Sequence, residues 1–95
     1  MLLHIIKQST SNSSGFSKCI KTLNTGDGIL LIENGVYNLN LLADELENIA
    51  KNHSIYILKS DATTRGITAF PDFIVPVNYE GFVDLTLEYS KSISW

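Results

Sequence analysis

Phe16-Ser17-Lys18-Cys19-Ile20-Lys21-Thr22-Leu23-Asn24-Thr25-Gly26-Asp27-Gly28-Ile29-Leu30-Leu31-Ile32 reads as a helix, a sharp turn and a strand in direct succession. Phe16, Cys19, Ile20 and Leu23 fall at i, i+3, i+4 and i+7, so they share one face of a helix. The run Asn24 to Gly28 predicts its stop, because glycine accepts the left-handed conformation at the C′ position. Ile29 to Ile32 follows as an apolar run without alternation, which suits a strand covered on both faces. Upstream, Leu2 to Ile6 is a second such run. The polar stretch after it ends in Ser13 and Ser14, either of which can supply an N-cap oxygen. Strand, helix and strand in that order make a βαβ unit, whose two strands pair in parallel.

The same alternation continues downstream. Ile55 to Leu58 and Phe73 to Val77 are further continuous apolar runs, expected as buried strands. Leu39, Leu42, Ala43, Leu46, Ile49 and Ala50 form a helical stripe with Asp44, Glu45 and Glu47 on its other side. Asp61 to Arg65 is a short turn, Phe82, Leu85, Thr86 and Tyr89 repeat at helical spacing, and Ser92 to Trp95 suits a last edge strand. The expected fold is therefore α/β: one domain over residues 1–95, a three-layer α/β/α sandwich with a mostly parallel sheet of about five strands. Such sheets present functional groups beyond the carboxyl ends of their strands. Those loops are Lys7 to Ser14, Glu33 to Val36, Lys59 to Gly66 and Asn78 to Gly81.

With 95 residues, the chain buries only roughly 64% of the surface its unfolded form exposes, enough for one modest core. Seven Lys and Arg against ten Asp and Glu lack the basic excess that binding a phosphate backbone requires, so no direct nucleic-acid partner is expected. The N-terminus has no basic region before its apolar residues, and no run approaches the ~20 apolar residues of a membrane span. One cysteine makes no internal disulfide and no metal-ligand pattern is present. These features predict a cytoplasmic protein with no membrane partner, no metal and no cofactor. Eight of the aromatic side chains, among them Tyr37, Tyr79 and Trp95, are many for so small an acidic chain, and oligomerisation is the economical way to cover them.

Cys19 is the one strong nucleophile. The start of a helix with Lys18 and Lys21 nearby favours a thiolate; the stripe shared with Phe16 and Leu23 favours an ordinary core cysteine, and the residues alone weigh toward the latter. His4, between Leu3 and Ile5, reads as a satisfied core or interface histidine, and His53 as a ligand of helix-end carbonyls. No Asp or Glu stands at a spacing that marks a relay with either. Asp44 and Glu47 read as a solvated face, and Asp61 with Arg65 as a surface pair of little worth. The serine-rich loop has only Gly15, far from a phosphate-binding fingerprint.

Four pieces taken together resemble the TusB/DsrH family. They are Met1 to Ile6, Gly26 to Tyr37, Ala62-Thr63-Thr64-Arg65-Gly66-Ile67, and Tyr79 to Thr86 with the closing Trp95. The resemblance implies a DsrE/DsrF/DsrH-like fold and assembly with TusC-like and TusD-like subunits into a heterohexamer holding two copies of each. It implies a place in a relay that takes persulfide sulfur from a TusA-like carrier to a cysteine of TusD, then to a TusE-like carrier, and finally to 2-thiouridine at the tRNA wobble position. Thiolate attack on the outer sulfur of a persulfide is the chemistry. Cys19 matches the first-helix cysteine of DsrH-type members and is the candidate sulfur carrier, in a subunit whose role is otherwise structural or accessory. Two alternatives stand beside this: a DsrH-type subunit of a dissimilatory sulfur-oxidation complex, and a free-standing flavodoxin-like small-ligand module.

Overall fold

The computed structural model describes residues 1–95. In chain order the elements are β1 (Leu2–Ile6), α1 (Gly15–Thr22), β2 (Gly28–Leu31), a 3-10 turn (Glu33–Tyr37), α2 (Asn38–Leu41), α3 (Ala43–Ile49), β3 (Ile55–Leu58), α4 (Lys59–Thr64), β4 (Val75–Val77), α5 (Tyr79–Glu88) and β5 (Lys91–Ser94). The strands form one sheet in the order β4-β3-β2-β1-β5, and every pairing is parallel. The α/β architecture is the expected one, with a wholly parallel sheet.

Topology dictates how helices are shared between the faces. From β1 through β2 and β3 to β4 the chain steps in one direction across the sheet, and the last crossover returns from β4 to β5 at the opposite edge. Crossovers of one hand must change face when the direction of travel reverses. Accordingly the first face carries the main core, thirteen buried residues including Phe16, Cys19, Leu39, Leu46 and Ala62 on helices and Ile6, Ile29, Leu31, Ile55 and Ile57 on strands. The second face carries a smaller buried cluster of Leu3, Ile5, Leu30 and Leu85, with Phe82 and Tyr89 packed beside it, and α5 is the helix that covers it.

Three local expectations are corrected. Phe73 to Val77 is not a buried strand: only Val75–Val77 pairs, at the sheet's edge, and Val75 is 46% exposed. Pro76 explains the edge position, since its missing N–H costs nothing on the unpaired side of an outer strand. The helix expected as one piece over Leu39 to Ala50 breaks at Leu42 (φ −132°, ψ 37°) into α2 and α3. Asn38 fixes α2 by accepting from Thr10 N–H at 2.9 Å and donating to the Gln8 carbonyl at 3.2 Å; the break lets α3 turn so that Leu46 still reaches the core. Finally, α1 ends in extended backbone at Leu23, and the left-handed residue is Gly26 (φ +89°), inside the turn rather than at the helix end.

Candidate functional site

Cys19 sits on the inward face of α1 and is fully buried. Burial pushes its thiol from the ordinary 9.0 up to about 12, and the nearby Asp27 charge adds to the effect. The helix start and the neighbouring lysines do not offset this. Lys18 and Lys21 are exposed, about 100° and 200° around α1 from the buried sulfur. A thiol in this state is protonated at neutral pH and shielded from a donor persulfide, because thiolate fraction and access both govern attack.

Beside the main core, against which Trp95 packs, lies a polar cluster centred on Asp27, itself buried. Its carboxylate accepts from Leu2 N–H (2.9 Å), from Asn24 N–H (3.1 Å) and from the His4 ring (2.9 Å). On the far side of the same ring, the Trp95 indole N–H donates to His4 Nδ1 at 3.1 Å, with the two rings stacked. An indole nitrogen can only donate, so the imidazole proton must lie on Nε2, aimed at Asp27. His53 Nδ1 donates to the Asp27 carbonyl at 2.8 Å, rather than to a helix end as expected. Burial alone would raise the Asp27 carboxyl, but the His4 hydrogen bond and the two backbone N–H bonds outweigh it and hold the group below its usual range. Strand pairing explains the meeting: Leu3 lies opposite Gly28, and His4 lies opposite Ile93 of β5. This Trp95-His4-Asp27 chain ties both edges of β1, and it has no open position for a substrate.

Three of the four loops at the carboxyl ends of the strands are tied by hydrogen bonds to a neighbouring connection. Asn38 holds the serine-rich loop. Asp61 accepts from Glu33 N–H at 2.7 Å, holding Glu33 in its left-handed conformation (φ +50°). Arg65 donates to Asn34 Oδ1 at 2.9 Å and to the Asp61 carbonyl at 3.1 Å, so Asp61 and Arg65 serve as backbone staples instead of pairing their charges. Between α4, above the main core, and α5, below the other face, an open crevice of about 550 Å³ is lined by Lys59, Ser60, Thr63, Thr64, Asn78 and Tyr79. Connections that leave adjacent strands toward opposite faces create such a crevice. It holds no cysteine or histidine. No group of three or more His, Cys, Asp or Glu side chains converges anywhere in the chain.

A profile of the family described as "DsrH like protein" matches residues 8–92, nearly the whole of this fold. The chain belongs to the DsrH-like family. Among the relatives of this DsrH-like chain, Protein TusB of Escherichia coli (strain SMS-3-5 / SECEC) is 31% identical over 84 residues, covering 84% of the chain and 86% of the relative. Protein TusB of Shigella boydii serotype 18 shows the same identity and coverage. Two solved structures share the architecture. Protein Tm0979 from Thermotoga maritima superposes with a TM-score of 0.67 at 27% identity, covering 93% of each chain. The ychN protein from E. coli reaches 0.71 at 16% identity over 99% of this chain and 97% of its own, a likeness of fold. Within the DsrH-like chain, Trp95, His4 and Asp27 are the polar cluster that sequence reasoning missed. The signal was a histidine inside an apolar run and an acid directly before another, each of which needs a buried partner.

Proposed function

We propose that this DsrH-like chain is a non-autonomous subunit of a sulfur-relay complex, in which persulfide sulfur moves toward 2-thiouridine at the tRNA wobble position. In this reading it assembles in the cytoplasm with TusC-like and TusD-like subunits as a heterohexamer, between TusA-like and TusE-like carriers. Family membership over residues 8–92, with relatives named Protein TusB, is the observation that carries it. In each transfer an acceptor thiolate attacks the outer sulfur of the donor persulfide and the donor leaves as its own thiolate.

The burial of Cys19 and its thiol near 12 support an accessory role, with Cys19 as packing and the working thiol on the TusD-like subunit. The large share of exposed apolar side chains supports assembly. Native mass spectrometry of the chain co-expressed with its TusC-like and TusD-like neighbours tests the reading. A particle with two copies of each is expected, and a chain that stays monomeric beside both would overturn it. Loss of wobble 2-thiouridine on deletion of the gene is the second expectation. Unchanged modification would favour sulfur oxidation instead.

A further inference from the structure

Charge and exposed apolar surface are concentrated in the same place. Residues 66–90, which make β4 and α5, contain Asp72, Glu80, Asp84 and Glu88 and no Lys or Arg, leaving six acids against seven bases in the rest of the chain. The net negative charge therefore belongs to this one region. The same stretch supplies four of the largest exposed apolar side chains: Val75, Tyr79 (69% exposed), Val83 (46%) and Leu87 (79%).

On α5 these features form two parallel rows. Phe82, Leu85 and Tyr89 turn inward to the sheet. Tyr79, Val83 and Leu87, at i, i+4 and i+8, make an apolar row on the outer side, and Glu80, Asp84 and Glu88 make an acidic row one residue, or about 100°, further round. All three acids are exposed. The Tyr79 ring is set before any partner arrives, edge-on to Phe82 with centroids 5.8 Å apart. An exposed aromatic already held in place loses little entropy on binding. Beside it, β4 is an outer strand with no neighbour on one side.

We infer that the outer face of α5, continued by the β4 edge, is the surface on which this chain docks a partner subunit whose complementary face is an apolar groove edged by Lys or Arg. A second copy of this chain does not fit. A twofold contact through α5 would set acidic row against acidic row within a Debye length; the bases Lys59, in the crevice beside Tyr79, and Lys91, three residues past Glu88, stand at the two ends of the helix and not along its acidic row. The inference rests on the relay reading for the identity of the partner, taken as the TusC-like or TusD-like subunit.

The test is native mass spectrometry of the three co-expressed chains at low and high salt, with three variants. Leu87→Lys removes the most exposed apolar contact and opposes a basic rim; it is expected to reduce assembly about tenfold or more. Glu80→Gln/Asp84→Asn/Glu88→Gln is expected to weaken assembly severalfold and to flatten its salt dependence. Leu41→Lys, at an exposed leucine of α2 on the other face, is expected to assemble within about twofold of wild type. Circular dichroism of each purified variant confirms folding. Wild-type assembly together with undiminished assembly of Leu87→Lys overturns the surface and leaves the relay reading intact. Self-association of the wild-type chain that Leu87→Lys abolishes overturns it in favour of a second copy. A wild-type chain that joins neither subunit overturns both readings.

Discussion

Replacing Asp27 by asparagine changes a single atom, yet the structure makes it costly. The carboxylate accepts three N–H bonds and is 3% exposed. An amide offers one acceptor and one donor, so its better orientation keeps its oxygen toward His4 and Asn24 and turns its NH2 against Leu2 N–H. The opposite orientation faces two donors. His4 cannot relieve this by moving its proton, because its other nitrogen already accepts from Trp95. An orphaned buried donor costs about 1–3 kcal/mol, and the two surviving bonds lose their charge assistance, while the amide is cheaper to desolvate than a carboxylate. The net loss is about 2–3 kcal/mol near neutral pH. At an m-value of about 1.2 kcal/mol per M, that lowers the urea midpoint by about 2 M. The carboxyl is held below its ordinary 3.8 in the fold, so its stabilisation is complete above about pH 5 and disappears as pH falls through 3.8 toward the lower folded value. Wild type and the Asp27→Asn variant should therefore converge in acid. Urea melts from pH 7 to pH 3 measure both effects. A midpoint change under about 0.5 M at neutral pH, or a gap that persists unchanged at pH 3, would refute the reasoning.

Further expectations follow from other contacts. Fully buried and with its thiol pushed from 9.0 up to about 12, Cys19 should react with an aromatic disulfide reagent more slowly in the native chain than in urea, by roughly a hundredfold or more. Cys19→Ser should lose about 1–2 kcal/mol in urea melts. Because Cys19 is the chain's one cysteine, the wild-type subunit is expected to carry no persulfide label in the assembled complex, and a label that Cys19→Ser removes would make Cys19 a sulfur carrier. Trp95→Phe, which leaves His4 Nδ1 without a donor, should lower stability by about 1–2 kcal/mol and increase proteolysis near β5. Gly35→Ala should be the most damaging single methyl, because its Cβ would fall on the Ile6 carbonyl, which is backbone and cannot move aside; loss of soluble protein or of at least about 2 kcal/mol is expected.

Much of the fold was legible in the residues because its strands are short continuous apolar runs. Leu2–Ile6 and Ile55–Leu58 end where composition ends. Phe16, Cys19 and Ile20 form the inward side of α1, Leu23 packs on the same core from just past the helix end, and Ser92 to Trp95 overlaps β5. Legibility stopped where geometry depends on distant partners. The bend at Leu42 answers to Asn38, whose bonds reach Gln8 and Thr10; Phe73 falls inside a turn that Ile74 N–H closes on the Pro71 carbonyl at 3.0 Å, so the strand begins only at Val75. The Trp95-His4-Asp27 cluster joins residues separated by 91 and 23 positions, and only the sheet order makes them neighbours. Asp61 and Arg65, spaced for a helical ion pair, are diverted to Glu33 and Asn34 across the carboxyl edge.

The single-helix covering of the second face has a consequence for an unassembled copy. Four helices share the main core, so no one of them exposes it by lifting away. The other face has no such redundancy: detachment of α5 uncovers Leu3, Ile5 and Leu30 at once and frees both edges that the helix spans, from β4 to β5. That makes α5 a cooperative opening unit of low free energy, first to exchange its amide hydrogens and first to be cut by a protease. A partner clamped on its outer rows would raise that opening free energy by its own binding energy. The lifetime of the chain in a cell would then follow the supply of its partner, with orphan copies cleared through the same helix that assembled copies keep closed.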